Sequence, residues 1–331
     1  MKLLSYLILF AISSLFIACN NEIDEDINPE TLSEFHKNMD EVILTSQENI
    51  QTWYRYPVPN VNGYKKIVKK EGRFLSLVNA KSPSAKVLPT TGSRLQLSYD
   101  GLHWEDMNVE LPGGYQAIVA TKKYFYAVGH SLKNREKGSV IRSIDGFFWE
   151  EVLICDSVLF DIIETKEGMF AVGLNGQIAH LKEDGMWVTS TLGQYGLFDL
   201  VYGNKLLITG DPYALFSDAG TGNFNLIKHD FEVIGLRHSL YHEGLYLFFS
   251  SDFVLRYDGT RFYPPRKKSS TLNEVVYQSQ FVSLDEDVLA SDDGLTWTKI
   301  AELEVVDQNI TGLDTAHSFI SGSDIIFTQK Y

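Results

Sequence analysis

The side chains most able to do chemistry are scattered along this sequence. His238 and His242 lie four positions apart, a spacing that on a helix would present two metal ligands on one face. The segment HSLYH lies between short β-type runs, however, so we expect hydrogen-bonded or solvated histidines. Cys155 has no second cysteine within the predicted folded domain, and we expect a small buried hydrophobic side chain. We therefore predict no catalytic residue, no metal and no cofactor.

Adjacent carboxylates are a further candidate, because paired acidic groups can act as general acid and general base. Such runs occur at residues 105–106, 150–151 and 285–287. The first two directly follow a tryptophan, on what we predict below to be outer strands. Charged side chains on an outer strand discourage edge-to-edge pairing. We interpret these carboxylates as surface residues.

The composition provides enough apolar material for a folded core, since 44% of the 331 residues are hydrophobic and 22% are charged. The formal charge of −14 argues against a nucleic-acid-binding protein. No segment between residues 60 and 331 keeps a helical period. Short runs rich in Val, Ile, Tyr and Phe recur there instead, separated by turn residues. The elements that position the side chains are therefore predicted to be β-strands.

A short motif, Asp-Gly-x-x-aromatic, organises these strands into repeats. It occurs as SYDGLHW, SIDGFFW, YDGTRF and SDDGLTW, with degenerate copies EDGMW and SDAGTGNF. The steps between successive motif aspartates are 45, 39, 34, 40 and 35 residues, for Asp100, Asp145, Asp184, Asp218, Asp258 and Asp293. Two strand-like runs precede most copies. This period and content predict four-stranded propeller blades.

The motif resembles the Asp-box, the Ser-x-Asp-(x)-Gly-x-x-Trp signature of sialidase-like β-propellers, over roughly residues 50–331. The resemblance implies that each copy forms the hairpin between the third and fourth strands of a blade, away from the ligand face. In such a turn the carboxylate accepts backbone N–H bonds and the glycine adopts a positive φ. The structural residues assigned in this way are Asp100, Gly101, Trp104, Asp145, Gly146, Trp149, Asp258, Gly259, Phe262, Asp293, Gly294 and Trp297.

The two ends of the repeat region supply the strands that would close a ring. Residues 50–57 form a strand without a blade of its own, and three strand-like runs follow Lys299. Pairing these elements would hide both open edges. We therefore predict an all-β, seven-bladed β-propeller closed by an N-terminal strand, with six blades as the alternative.

Residues 54–57, YRYP, resemble the Tyr/Phe-Arg-Ile-Pro motif of sialidases, in which the arginine binds the substrate carboxylate. Tyr56 replaces the isoleucine, and segment 74–86 lacks the acidic residue that sialidases have after the next strand. We interpret Arg55 as an outward residue of the closing strand.

Basic residues concentrate in loops that would share one face of the propeller. Loops between second and third strands, and those between successive blades, lie on the same face, and the blade alignment assigns segments 79–94, 130–139 and 263–270 to it. We predict an anion-binding ligand face, although polar loops also carry lysine without function. Its residues are Arg94, Lys133, Arg135, Arg266, Lys267 and Lys268.

Residues 1–18 contain Lys2, then an apolar run, then Ala18, the pattern of a secretory signal. The run 15–19 resembles a bacterial lipobox, which implies cleavage before Cys19 and diacylation of that cysteine. An ordinary signal with an unmodified cysteine is the alternative. Residues 19–48 are predicted to be an acidic tether with a short helix near 29–42, similar to surface-exported lipoproteins of Bacteroidetes. Cleavage would leave 28 basic and 43 acidic residues, a charge of −15.

Together these patterns predict a monomeric lipoprotein of the bacterial cell envelope, anchored to the outer membrane, with a propeller at residues 49–331. We expect a non-catalytic binding or assembly module for a glycan or protein partner. A sialidase-like glycoside hydrolase and an assembly factor for a membrane complex are the alternatives. Two carboxylates about 5–10 Å apart at the channel mouth would indicate the enzyme. An aromatic and basic rim would indicate binding.

Overall fold

The architecture was determined from a computed structural model of the chain. It describes residues 39–57, 64–78, 93–100, 103–109, 111–131, 133–211, 215–218, 224–227, 231, 235–268, 273–277, 279–284, 287–305, 318–321 and 324–327. Within these residues there are 27 β-strands, in six sheets. None of the described residues forms a helix that is long and apolar enough to cross a membrane.

Five of the sheets are separate four-stranded meanders in which consecutive strands pair antiparallel. Blade 1 contains β2 (Tyr64–Lys70), β3 (Arg73–Val78), β4 (Arg94–Ser98) and β5 (Glu105–Asp106). Blade 2 contains β6 (Gly113–Ala120), β7 (Phe125–Ser131), β8 (Gly138–Ser143) and β9 (Glu150–Cys155). Blade 3 contains β10 (Leu159–Thr165), β11 (Gly168–Gly173), β12 (Gln177–Leu181) and β13 (Trp187–Thr191), with a short 3-10 turn at Leu174–Gly176.

Blades 4 and 5 have the same organisation. Blade 4 contains β14 (Gly196–Tyr202), β15 (Leu206–Asp211), β16 (Leu215–Asp218) and β17 (Phe224–Leu226). Blade 5 contains β18 (His238–His242), β19 (Leu245–Phe249), β20 (Phe253–Tyr257) and β21 (Phe262–Lys267). The first strands of consecutive blades contact one another, so the meanders are arranged radially, as in a β-propeller.

The remaining strands form one seven-stranded sheet, in the order β22-β23-β24-β25-β1-β27-β26. Their bounds are β22 (Asn273–Tyr277), β23 (Gln280–Leu284), β24 (Asp287–Ser291), β25 (Thr296–Val305), β1 (Ile43–Pro57), β27 (Asp324–Phe327) and β26 (Ser318–Ser321). β1 pairs in parallel with β25 and antiparallel with β27. β22 contacts β18, and β26 contacts β2, so this sheet completes the ring between blades 5 and 1.

The predicted number of seven blades, with six as the alternative, is wrong: the structure has five separate four-stranded blades and one larger sheet. The reason lies in β1, which extends through 15 residues. Because β1 pairs along β25 as well as with β27, the strands predicted to form the last units merge into a single sheet. The N-terminal strand closes the ring, but with a second partner that the sequence did not indicate.

The ordered fold begins before residue 49, where we placed its start. β1 starts at Ile43, and Val42 is buried against the core of blade 5 and β25. Glu41 forms a parallel bridge with Lys267. Residues 39–42 are not helical. The rest of the predicted helix, the signal segment, Cys19 and the tether up to residue 38 lie outside the described residues.

Each meander has two distinct ends. At one end, which we call the lower end, the chain connects the first strand to the second and the third strand to the fourth. At the other end, the upper end, the chain connects the second strand to the third and each blade to the next. The Asp-Gly motifs lie at the lower end: Asp100, Asp145, Asp184 and Asp258 each fall between the third and fourth strands. Gly101 lies outside the described residues.

The turn around Asp145 shows what this motif does physically. The Asp145 carboxylate accepts hydrogen bonds from the backbone N–H groups of Phe147, at 2.8 Å, and Phe148, at 3.1 Å. Gly146 adopts φ +85°, and Trp149 Nε1 donates to its carbonyl oxygen at 2.7 Å. Asp293 makes the same pair of backbone bonds in the seven-stranded sheet. The motif therefore builds a closed, self-bonded hairpin.

The aromatic residues of the motif are buried to different extents. Trp297 is 2% exposed and packs in a core cluster with Val42 and Leu247. Trp104, Trp149 and Phe262 are half-buried. Phe262 stacks on Tyr257 with ring centroids 4.5 Å apart. The larger part of the core lies between neighbouring blades, formed mainly by the first three strands of each meander.

Tyr115 gives the fold a testable pH dependence. Its side chain is fully buried, and burial raises the pKa of its hydroxyl to about 12. Because the unfolded chain loses this proton near pH 10, the native state loses stability as pH rises from about 10 to 12. Tyr115→Phe should remove about 1–2 kcal/mol of that loss. Urea unfolding at pH 8, 10 and 11.5 would measure it, and an unchanged alkaline slope in the variant would contradict the assignment.

Candidate functional site

The upper ends of the first strands carry a repeated irregularity. In β2, β6, β10 and β14 the pairing with the next strand skips one residue. The extra residues are Lys65, Gln116, Phe160 and Phe198. A β-bulge of this kind bends the strand and changes the direction of the unpaired side chain. First strands line the channel of a propeller, so the bulges place these positions at its upper mouth.

Two of the bulge residues and a nearby arginine form what we call the upper-end cluster: Phe160, Phe198 and Arg237. The rings of Phe160 and Phe198 are stacked, with centroids 5.4 Å apart and an interplanar angle of 28°. Arg237 precedes β18, and its guanidinium carbon lies 4.8 Å from the centre of the Phe198 ring. The three residues belong to the upper ends of blades 3, 4 and 5.

The exposure of the cluster leaves it accessible to a partner. Both phenylalanines are half-buried and Arg237 is exposed. No carboxylate among the described residues lies within ion-pair distance of its guanidinium. A guanidinium that lies over a ring keeps the N–H groups at its edge available for a ligand. The cluster thus combines apolar surface with a planar cationic donor.

Two aspartates fix the strands that carry the cluster. Asp161 Oδ2 accepts a hydrogen bond from the backbone N–H of Leu200, at 3.1 Å, which links blade 3 to blade 4. Asp199 accepts a hydrogen bond from the Ser239 hydroxyl, which links blade 4 to blade 5. Each aspartate directly follows a cluster phenylalanine. These carboxylates therefore hold neighbouring blades together beside the cluster.

A second aromatic contact extends the site outward on blade 5. His238 stacks on Phe249, with ring centroids 5.9 Å apart, and Lys268 Nζ lies 5.3 Å from the centre of the same ring. Lys268 Nζ also donates to the carbonyl oxygen of Ser250 at 3.3 Å. Arg237, His238 and Lys268 thus bring cationic or titratable groups to one blade.

The six predicted ligand-face residues lie at the upper end, but the three that lie on strands are all paired with carboxylates. Arg94 begins β4 and bonds Asp106 at 3.2 Å, and Arg266 pairs with Asp40 at 2.5 Å. Lys267 lies 3.7 Å from Glu41. Lys133 and Arg135 are exposed in the loop between β7 and β8. The acidic partners neutralise much of the field that the sequence indicated for this face.

One loop assignment needs correction. Residues 263–267 were assigned to a loop that leaves blade 5, but they form most of its fourth strand, β21. Two prolines are compatible with this strand because it is the outermost one, where a missing N–H breaks no ladder bond on its open side. Arg266 and Lys267 are therefore strand residues at the outer edge of the blade.

The other side chains considered for chemistry are paired, buried or part of strands. Glu150 pairs with Arg142 at 2.5 Å, and Glu151 accepts a bond from Ser139. Cys155 is buried, which raises the pKa of its thiol to about 11. His242 and His238 lie on strand β18. Arg55 is part of β1, and residues 285–286 lie outside the described part of the chain.

Sequence reasoning missed the upper-end cluster, although a signal was present. The tripeptide Leu-Phe-Asp occurs at residues 159–161 and again at 197–199. Leu-Arg-His at residues 236–238 occupies the corresponding place in blade 5, with buried Leu236 matching buried Leu159 and Leu197. Aligning the repeats on their first strands would have brought Phe160, Phe198 and Arg237 to one position.

Comparison with known proteins supports the fold at low sequence identity. No protein-family model matches the chain, and no curated protein matches it. Among solved structures, a catalytically inactive virginiamycin B lyase from Staphylococcus aureus, in complex with quinupristin, has a TM-score of 0.59 and 12% identity. The alignment covers 83% of this chain and 98% of that one.

Two further structures align over a similar length. The WD40 β-propeller domain of Doa1 has a TM-score of 0.57 and 13% identity, covering 86% of this chain and 98% of that one. YCF48 bound to D1 peptide has a TM-score of 0.58 and 11% identity, covering 87% and 98%. These similarities confirm the prediction of an all-β protein of the β-propeller class. At such identities they concern the fold alone.

Proposed function

We propose that this chain is a non-catalytic protein-binding or assembly propeller whose partner docks at the upper mouth of the channel. The observation that carries the proposal is the upper-end cluster, in which three successive blades contribute Phe160, Phe198 and Arg237. Aromatic and arginine side chains are the residues most often responsible for affinity at protein interfaces. Two of them lie on bulged first strands and Arg237 directly precedes the first strand of the next blade, so the fold provides a pre-organised anchor.

The surrounding groups favour binding over hydrolysis. The two carboxylates next to the cluster, Asp161 and Asp199, accept hydrogen bonds from the following blade. A retaining or inverting glycosidase needs such a pair directed at the scissile bond. YCF48, a propeller of similar fold, is bound to a peptide in its structure.

The cellular setting is part of the same proposal. We propose that Cys19 carries a lipid anchor in the bacterial envelope and that the acidic tether links it to the propeller. A glycan partner with carboxylate groups remains compatible with Arg237, because a guanidinium binds carboxylates of any source. The chemistry shared by the two partners is an anionic group next to apolar surface.

The test places a photo-crosslinking amino acid at position 160 in cells of the native host. We expect a discrete protein adduct, because this position lies within the cluster. Arg237→Gln should lower the adduct yield about tenfold. Arg135→Gln removes the same charge at the same end, but from the loop between β7 and β8 of blade 2, and should change the yield less than about twofold.

The control also separates two explanations. Equal losses for the two arginine variants would indicate the general field of the basic loops and would contradict a local site. A crosslinker at Asn204, in an exposed turn at the lower end, should not give the same adduct. Absence of any protein adduct at position 160, with retained binding of an acidic polysaccharide, would replace the protein partner with a glycan.

A further inference from the structure

The outermost strand of blade 3, β13, is an open sheet edge. It is the last strand of its sheet, and no strand in the described part of the chain pairs with its outer side. Its pairing with β12 is regular through all five residues, without a bulge. Residues 189–191 are exposed. The strand therefore presents unpaired backbone groups to solvent along its outer side.

Two hydrogen bonds that flank β13 show which of its backbone groups point outward. The Lys182 N–H donates to the Met186 carbonyl at 3.0 Å, and the Leu192 N–H donates to the Gly176 carbonyl at 2.8 Å. Bonded and non-bonded positions alternate along an antiparallel pair. The even-numbered residues of β13 are therefore bonded to β12, and the three odd-numbered residues direct their N–H and C=O groups away from it.

The outermost strands of the other four blades each have a feature that opposes further pairing. β5 consists of two acidic residues, and β9 begins with two and has a bulge in its pairing with β8. β17 has only three residues, and β21 contains two prolines. β13, in contrast, has neither a charged residue nor a proline. Among these edges it is the one that is open to an added strand.

The seven-stranded sheet shows what such an edge binds. β25 is the equivalent of β13, because each follows an Asp-Gly hairpin and begins with the tryptophan of the motif, Trp297 in β25 and Trp187 in β13. The outer side of β25 is occupied by β1, which pairs in parallel, with residues 43–46 opposite residues 296–299. Residues 43–46, Ile-Leu-Thr-Ser, are uncharged. The fold thus pairs this type of edge with an uncharged extended segment.

A second outer edge also has an added segment. Along β21, the Val42 N–H donates to the Lys267 carbonyl at 3.1 Å, and the Lys267 N–H donates to the Asp40 carbonyl at 2.9 Å. Glu41 forms a parallel bridge with the same lysine. This segment brings carboxylates to an edge that has basic residues, as the pairs of Arg266 with Asp40 and of Lys267 with Glu41 show. The charge of an added segment therefore matches the edge that it joins.

We propose that the outer edge of β13 is a strand-addition site for a partner protein with an uncharged extended segment, of the type that residues 43–46 provide to β25. Main-chain hydrogen bonds would supply the affinity, and a charged segment would meet no opposite charge on this strand. The rim of blade 3 is distinct from the upper-end cluster, so the site does not depend on the function proposed there.

The test uses a peptide of residues 42–47, VILTSQ, with blocked ends, added in millimolar excess because a single added strand binds weakly. Amide hydrogen exchange followed by NMR reports on each backbone N–H separately. At a peptide concentration about ten times its Kd, the Thr189 and Thr191 amides should exchange about tenfold more slowly. The Val188 and Ser190 amides, which are bonded to β12, should not change. The same peptide with N-methyl groups on alternate residues should have no effect.

Variants at position 189 separate main-chain pairing from side-chain contact. Thr189→Pro removes an outward N–H without breaking a bond to β12, and it should abolish the protection of Thr191. Thr189→Val is the matched control, because it keeps the N–H and the side-chain volume, and it should keep the protection. Thr189→Lys replaces the proline variant if thermal unfolding shows that proline perturbs the fold. Arg237→Gln should leave the protection unchanged, so a failure here is distinguishable from a failure at the upper-end cluster.

Several results would overturn the proposal. Slow exchange at Thr189 and Thr191 without peptide would mean that another part of the chain covers the edge. A dimer in ultracentrifugation that Thr189→Pro abolishes would assign the edge to a second copy. Equal protection by the N-methylated peptide, or loss of protection in Thr189→Val, would indicate side-chain binding. Absence of protection at saturating solubility of the peptide would show that the edge does not accept a strand.

Discussion

Replacing Trp53 with alanine is expected to lower the free energy of unfolding by about 3–5 kcal/mol. Trp53 lies on β1 and is 2% exposed, packed with Val282, Leu284 and Ala301 in the core of the seven-stranded sheet. Removing the indole would leave a cavity between β1 and the strands against which it packs. Because β1 joins the two ends of the ring, the loss should affect the cooperative unit as a whole.

Urea unfolding followed by tryptophan fluorescence and by circular dichroism would measure this effect. Ile50→Ala is the matched control, since Ile50 lies on the same strand but is 40% exposed. The Ile50→Ala substitution should lower the free energy of unfolding by less than about 1 kcal/mol. A Trp53→Ala protein as stable as the Ile50→Ala protein would mean that β1 adds little to closure of the ring.

The β content and the repeat were predictable because they rest on local patterns. Alternating apolar runs specify strands, and the Asp145 carboxylate accepts its hydrogen bonds within its own turn, so the motif can be recognised from seven residues. The number of separate sheets was not predictable in this way. It depends on the parallel pairing of β1 with β25, between residues about 250 positions apart, and no local signal encodes that choice.

The candidate site was likewise predictable only where local sequence patterns determine it. The sequence places basic residues at one end of the blades, which follows from strand order alone. It does not show that Asp40, Glu41 and Asp106 pair with three of them. Nor does it show that Phe160 and Phe198, half-buried and apolar like many core residues, sit on bulges at the channel mouth. Recognising them requires the pairing register, which is a property of two strands together.

The glycines opposite these bulges lead to the second large expected effect. Gly173 ends β11 and pairs with Leu159, immediately before the bulge residue Phe160. A Cβ atom on Gly173 would lie 1.9 Å from the carbonyl oxygen of Val158 and 2.8 Å from the Cα of Leu159. Gly129 meets the backbone of Gly114 and Tyr115 in the same way in blade 2. The bulge therefore brings two backbones so close that only glycine fits.

Gly173→Ala is accordingly expected to lower the free energy of unfolding by about 3 kcal/mol, a large value for an overpacked site. The loss is large because the obstructing atoms are backbone atoms, which cannot rotate away. The strand would have to separate from β10 or lose its bulge, and either change would displace Phe160 from Phe198. We thus expect the yield of the crosslink at position 160 to fall together with the free energy of unfolding.

Gly244→Ala is the control. Its Cβ would meet no atom within 4 Å, so only its φ of +91° opposes alanine, at about 1 kcal/mol. Unfolding and crosslinking measured on both variants separate the steric effect from backbone strain. If both substitutions lower the free energy of unfolding equally and the Gly173→Ala protein keeps its crosslink, the prediction is wrong. The close approach of the two backbones would then not hold the bulge and the site in place.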